Sequence, residues 1–134
     1  MKHLYLLAIL CVFLACSNSK NAVSDTPKLQ LSDVTPGRSS TALLGKIISA
    51  EQNGNNIDVT VSVISMKQGG ASAPAFGASS KANIVFTPMF QKNYQNQNNE
   101  PVISVLTEGR SILIVVDRNL RSKQTEVIQL KTQK

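Results

Sequence analysis

The chain of 134 residues has no tryptophan, one histidine and two cysteines, and its aromatic content is 4%. The histidine is His3, and the cysteines are Cys11 and Cys16, so all three lie in the first sixteen residues. Beyond them no Ser-His-Asp or Cys-His nucleophile pair can be assembled, and no His/Cys zinc site. A disulfide is excluded on the same ground, so a domain formed by the rest must be held by Ile, Val and Leu. Gly69-Gly70 and Gly77 lack the strand-to-helix junction and paired lysine of a phosphate-cradling loop. No cofactor and no metal are expected.

What is present begins with an apolar run. Lys2 and His3 form a short basic front, and Leu4 to Ala15 is uncharged and apolar apart from Tyr5. This is the layout of an export signal, and the run is shorter than the roughly 20 residues that span a bilayer. A retained transmembrane helix is the weaker reading. Of the 14 lysines and arginines only Lys2 falls in this leader, against 8 acidic residues, so the remainder is mildly basic.

Val12-Phe13-Leu14-Ala15-Cys16 resembles the lipobox of bacterial lipoproteins. The resemblance implies cleavage of the signal peptide between Ala15 and Cys16, with diacylglycerol and palmitate-type acylation of Cys16. Each buried methylene contributes about 0.8 kcal/mol, so several acyl chains on one cysteine would hold firmly. Ser17, where an aspartate favours the inner membrane in enteric bacteria, implies the outer membrane. The expected address is therefore the bacterial cell envelope, lipid-anchored and facing the periplasm or the surface. The alternative is an ordinary secretory signal in which Cys16 is incidental.

The expected organisation is a signal peptide over 1–15, a lipidated cysteine and flexible tether over 16–41, and a β-barrel domain over 42–134. Residues 17–41 are rich in Ser, Thr, Asn, Asp and Pro, and a coil of that length spans about 25–30 Å. Leu29 and Leu31 alternate with polar neighbours and suggest an added edge strand. From Ala42 the apolar period becomes two. Runs over 42–51 and 57–66 flank an Asn-Gly pair, a hairpin signal. Ile57, Val59, Val61 and Val63 share one face, then Ile64 and Met66 fall out of phase, which predicts a bulge or strong coil. Residues 67–81 read as a mobile Gly/Ala/Ser-rich loop. A third strand covers 82–87, and 90–100 is an Asn/Gln-rich connector, loop or short helix. After Pro101 come an ordered run over 102–106 and a strand over 111–116 that is apolar throughout, as burial on both sides requires. The last strand spans 125–131.

The fold class expected is all-β with at most one short helix: a small five- to six-stranded barrel. Leu44-Gly45-Lys46-Ile47-Ile48, Met66-Lys67-Gln68-Gly69, Ile84-Val85-Phe86 and Gly109-Arg110-Ser111-Ile112-Leu113-Ile114 together resemble an OB-type barrel, in detail the netrin-like and metalloproteinase-inhibitor branch. That branch carries disulfides, absent here, and Ile112 stands where an aromatic is common. Its inhibitors chelate zinc through a free N-terminal cysteine, which an acylated Cys16 cannot do, so the resemblance implies a fold and no inhibitory site.

Arg118, Arg121 and Lys123 cluster in a turn and are the candidate contacts for an anionic surface, with basic groups near an anionic membrane contributing about 1 kcal/mol each. The competing reading is a solvated turn that blunts an edge strand. Nucleic acid is not expected, because Phe76, Phe90 and Tyr94 fall in loops and Phe86 in a strand, leaving no stacking platform. The function expected is a lipid-anchored, non-enzymatic binding or accessory module with an envelope protein or glycan partner and a membrane contact through Cys16. Its rival is an envelope hydrolase using carboxylates among Glu51, Asp58, Glu108, Asp117 and Glu126.

Overall fold

A computed structural model describes residues 28–133. Five strands, β1 (Ser40–Asn53), β2 (Asn56–Gln68), β3 (Lys81–Phe86), β4 (Ser111–Arg118) and β5 (Thr125–Thr132), form a closed barrel in the order β1-β2-β3-β5-β4, with β4 returning to β1. A helix, α1 (Pro88–Asn98), lies between β3 and β4 in the chain. The all-β expectation holds, and the topology is that of a small OB-type barrel. The expected lipid anchor on Cys16 and the cleavage after Ala15 lie outside the described residues.

β1 and β2 form the hairpin. Asn53 pairs with Asn56, so the two turn residues are Gly54 and Asn55, one position later than an Asn-Gly turn would place them. Gly54 has a φ of 60° at the first of these positions, a conformation that glycine adopts without a Cβ penalty and that type II′ turns demand there. The predicted bulge is present. Leu44 pairs with Ser65 and Gly45 with Val63, so Ile64 has no partner and turns outward, half-exposed. Further irregularities fall at Ile48 in β1 and Ile128 in β5. Such bulges bend strands enough for a five-stranded sheet to close.

The core is formed by the inward face of the hairpin, Leu43, Ile47, Ile57, Val59, Val61 and Val63, together with Ile84, Phe86, Ile112, Ile114 and Val116. The uninterrupted apolar run in β4 is buried on both sides as expected. Ile112, Ile114 and Val116 face the barrel interior, while Leu113 and Val115 join Val34 and Ala42 in a second cluster outside it. Leu29 and Leu31 pack on that second cluster. Residues 28–39, read in the sequence as the end of a tether, therefore lie against the barrel. They form a 3-10 turn over Leu31–Asp33 in place of an edge strand, because Asp33 accepts a hydrogen bond from the Gln30 amide and folds the chain back.

Two expectations left open are resolved, and one is corrected. The ordered run after Pro101 is a 3-10 turn over Val102–Val105. Its apolar positions are Val102, Val105 and the adjoining Leu106, a spacing that puts all three on one side of a turn, and local bonds such as Ser104 N–H to the Pro101 carbonyl (3.1 Å) close it. The barrel thus has five strands. Residues 90–98 of the amide-rich connector are helical: Pro88 opens the helix, Thr87 caps it by accepting from the Phe90 amide (3.4 Å), and Asn99 ends it in the left-handed conformation. The loop after β2 is docked. The Gly69 amide donates to the Ser40 carbonyl (2.9 Å), buried Thr41 donates its hydroxyl to the Pro74 carbonyl, and Ala73 is buried.

Gly45 sits where β1 is sandwiched between β2 and β4. A Cβ there would lie 2.4 Å from Val61 Cγ1 and 2.6 Å from the Ser62 carbonyl oxygen, and one of those contacts is backbone. Gly45→Ala is expected to lower stability by about 1–3 kcal/mol, the range for overpacking. Urea denaturation checks this, and a midpoint matching the parent would show that the strand relaxes freely.

Candidate functional site

The β4–β5 connection is a tight turn organised by one side chain. Asn119 Oδ1 accepts from the amides of Arg121 (2.9 Å) and Ser122 (3.2 Å), and Asn119 Nδ2 donates to Glu126 Oε1 (2.8 Å). The Asn119 amide donates to the Gln124 carbonyl (2.9 Å), and Ser122 Oγ donates to the same Glu126 oxygen (3.3 Å). With its polar groups so used, the turn projects Arg118, Arg121 and Lys123 into solvent, with Leu120 88% exposed at its tip. The three sequence-predicted cations are thus brought to one turn.

Lys123 borders a shallow groove of about 420 Å³ on the outer face of β2 and β3, which Asp58, Thr60, Asn83 and Val85 also line. That face is polar because the inward positions of both strands take the apolar residues. Asp58 accepts from Asn53 Nδ2 (2.8 Å) and Thr60 donates to Asn83 Oδ1 (3.1 Å). Three of the five carboxylates of the hydrolase reading are engaged in structural hydrogen bonds. Asp58 holds the hairpin end, Glu126 holds the β4–β5 turn, and Asp117 accepts from Ser39 Oγ (3.1 Å) and the Arg118 amide (2.7 Å). Among the described residues no group of three His, Cys, Asp or Glu is placed to hold a metal ion.

A larger cavity, about 800 Å³, opens between α1 and β5. Sequence reading missed it because its walls are far apart in the chain. Phe90 and Tyr94, four residues apart and so on one helix face, stack with ring centroids 6.4 Å apart and planes at 24°, and Phe86 meets Phe90 edge-on at 5.4 Å. Thr87-Pro88 followed by aromatics at 90 and 94 was the signal for this helix. The cavity also takes in Arg110, whose guanidinium donates to the carbonyls of Gln133 (2.6 Å) and Val105 (3.5 Å). Burial and the neighbouring Glu100 carboxylate raise the Tyr94 phenol above its ordinary value of 10.0, with Arg110 acting in the opposite direction.

No family model matches the chain, and no curated protein matches it. Among solved structures it is similar to the crystal structure of a mitochondrial single-stranded DNA binding protein from S. cerevisiae. The identity is 13% and the TM-score 0.41, over 71% of this chain and 93% of that one. That neighbour's name, a mitochondrial single-stranded DNA binding protein, runs against two expectations, that nucleic acid is no partner and that the chain resides in the bacterial envelope with the outer membrane as its place, and neither expectation is carried further. The first also loses its premise in the structure, since Phe90 and Tyr94 form a stacked pair on a helix instead of lying in loops. The second rested on residues 1–17 alone, which lie outside the described region.

For Tyr94 the sign follows from the raised value. The unfolded chain ionises first as pH rises past 10, the folded state then binds more protons, and stability falls. Absorbance titration near 295 nm is expected to show a Tyr94 transition displaced above 10, assigned by its loss in Tyr94→Phe. A midpoint at or below 10 would contradict the burial.

Proposed function

We propose that this chain is a non-enzymatic binding module that takes an anionic ligand on the β4–β5 turn and the adjoining outer face of β2 and β3. One observation carries the reading. Asn119 and Glu126 fix the turn internally, leaving the charges of Arg118, Arg121 and Lys123 directed at solvent on a rigid support. Three cations on a prearranged loop attract an anion with little loss of conformational entropy on binding. The same face and the loops flanking it are where OB-type barrels commonly hold chain ligands.

The ligand chemistry is that of a repeated phosphate or carboxylate. A fluorescent single-stranded oligonucleotide and vesicles with an anionic headgroup are the two probes that separate its sources. With the oligonucleotide, log Kobs is expected to fall with log salt at a slope of about −2, the value for three neutralised phosphates at roughly −0.7 each. Arg118→Ala/Arg121→Ala/Lys123→Ala should abolish the salt-dependent part for whichever probe binds, with an unchanged urea midpoint. Equal binding by the triple variant, or no binding to either probe at low salt, would defeat the reading.

The second part of the proposal concerns Cys16. Residues 12–16 support cleavage after Ala15 and acylation of the cysteine, the finer form of the lipoprotein resemblance. Intact-mass measurement of protein from a bacterial host with the lipoprotein-processing enzymes should show loss of residues 1–15 and a mass gain of acyl-chain size, both abolished by Cys16→Ser. An unmodified cysteine would remove this part and leave the binding surface untouched.

A further inference from the structure

We propose that the free edge of β5 is a docking lane for an extended peptide segment that carries an acidic side chain. β3 meets β5 through one parallel bridge, Val85 with Glu126. Immediately afterwards Thr87 caps α1 and the chain leaves the sheet, whereas β5 runs on to Thr132. Residues 127–132 are therefore paired with β4 on one side and with no strand on the other among the described residues. An unpaired edge presents a row of backbone donors and acceptors, and an added strand satisfies them.

The room for that strand is already there. α1 stands away from β5, and the cavity of about 800 Å³ between them is bordered by Asn93 and Gln97 of the helix and Gln129 of the strand. Side-chain amides offer a donor and an acceptor each, as a peptide backbone does. A segment placed here continues the line along which β3 already pairs, so it lengthens an existing interface of the barrel. Ile128, unpaired at the bulge and 54% exposed, supplies an apolar contact at the same edge.

Charge selects the partner. Arg110 donates to two carbonyls, and Lys131 Nζ to the Asp33 carbonyl (2.7 Å), so both cations at this cavity are held by neutral oxygens. Glu100, the carboxylate at this cavity, hydrogen-bonds Tyr94. An aspartate or glutamate on the incoming strand complements Arg110 and Lys131, while a lysine there repels them.

The test uses the isotope-labelled chain and three blocked octapeptides of alternating valine and threonine. One has a central aspartate, one a central lysine, and one a central proline, which cannot supply the ladder. Resonance shifts with the aspartate peptide are expected in residues 127–132, with slowed amide exchange there, and its affinity should exceed that of each other peptide by about fivefold or more. Gln97→Trp, a change at an exposed helix position that fills the cavity, should abolish binding with an unchanged far-ultraviolet spectrum. Lys131→Glu should reverse the preference between the aspartate and lysine peptides. No shifts at millimolar aspartate peptide, shifts centred on residues 118–124, or equal affinity for all three peptides would each overturn the proposal.

Discussion

The barrel depends on one strand being hydrogen-bonded along both edges while it bends. Thr41 to Lys46 pair simultaneously with β2 and with β4, so the first half of β1 is the seam through which the sheet closes. Closure needs curvature at that place, and three local features supply it. Ile64 is unpaired opposite the Leu44-Gly45 step, Ile48 is unpaired four residues after Leu44, and Gly45 has no Cβ to collide with Val61 and Ser62. The opposite seam is thin by comparison, a single bridge between β3 and β5. A sheet closed firmly at one seam and barely at the other leaves a length of strand edge unpaired, and that asymmetry produces the cavity beside α1.

Polar groups follow the same division. Among the described residues no buried side-chain nitrogen or oxygen lacks a hydrogen-bond partner. Thr41, fully buried at the closed seam, gives its hydroxyl to Pro74 and so draws the loop after β2 onto the barrel. Buried polar groups cost roughly 1–3 kcal/mol when left unpaired, which explains why a Gly/Ala/Ser-rich loop with little apolar area is nevertheless docked. Its amides and carbonyls hold it in place of large side chains.

Much of this was legible in the sequence wherever a strand had one wet face. The alternation Ile57, Val59, Val61, Val63 located β2, and its break at Ile64 located the bulge, because a one-residue slip moves every later side chain to the other face. Ile112 to Val116 announced burial on both sides. The apolar run from Val102 to Leu106 left its element type open because, after a proline, a short apolar run has the same composition whether it becomes a strand or a 3-10 turn. The helix was obscured by its polarity: Met89, Phe90 and Tyr94 are its few large apolar members, and the polar residues around them resemble a loop. Of the candidate site, the cations at 118, 121 and 123 were visible as a cluster. The role of Asn119 was not, since its value lies in bonds to Arg121, Ser122 and Glu126 that exist only once the turn has formed. The cavity was invisible for a simpler reason, its walls being contributed by residues near 95 and near 130.

The construction of the β4–β5 turn separates folding from binding. Its conformation is held by Asn119, Ser122 and Glu126, and Lys123 occupies a left-handed backbone position with a φ of 57°. The charged ends of Arg118, Arg121 and Lys123 are exposed, and surface side chains of that kind usually alter stability by no more than about 0.5 kcal/mol. These side chains can therefore be replaced with little effect on the fold. Three like charges within six residues repel one another in the free protein, and a bound anion relieves that repulsion while gaining attraction from each. Under the proposed reading, a turn braced by an asparagine and a carboxylate presents three outward cations to a ligand without drawing on the stability of the barrel that carries it.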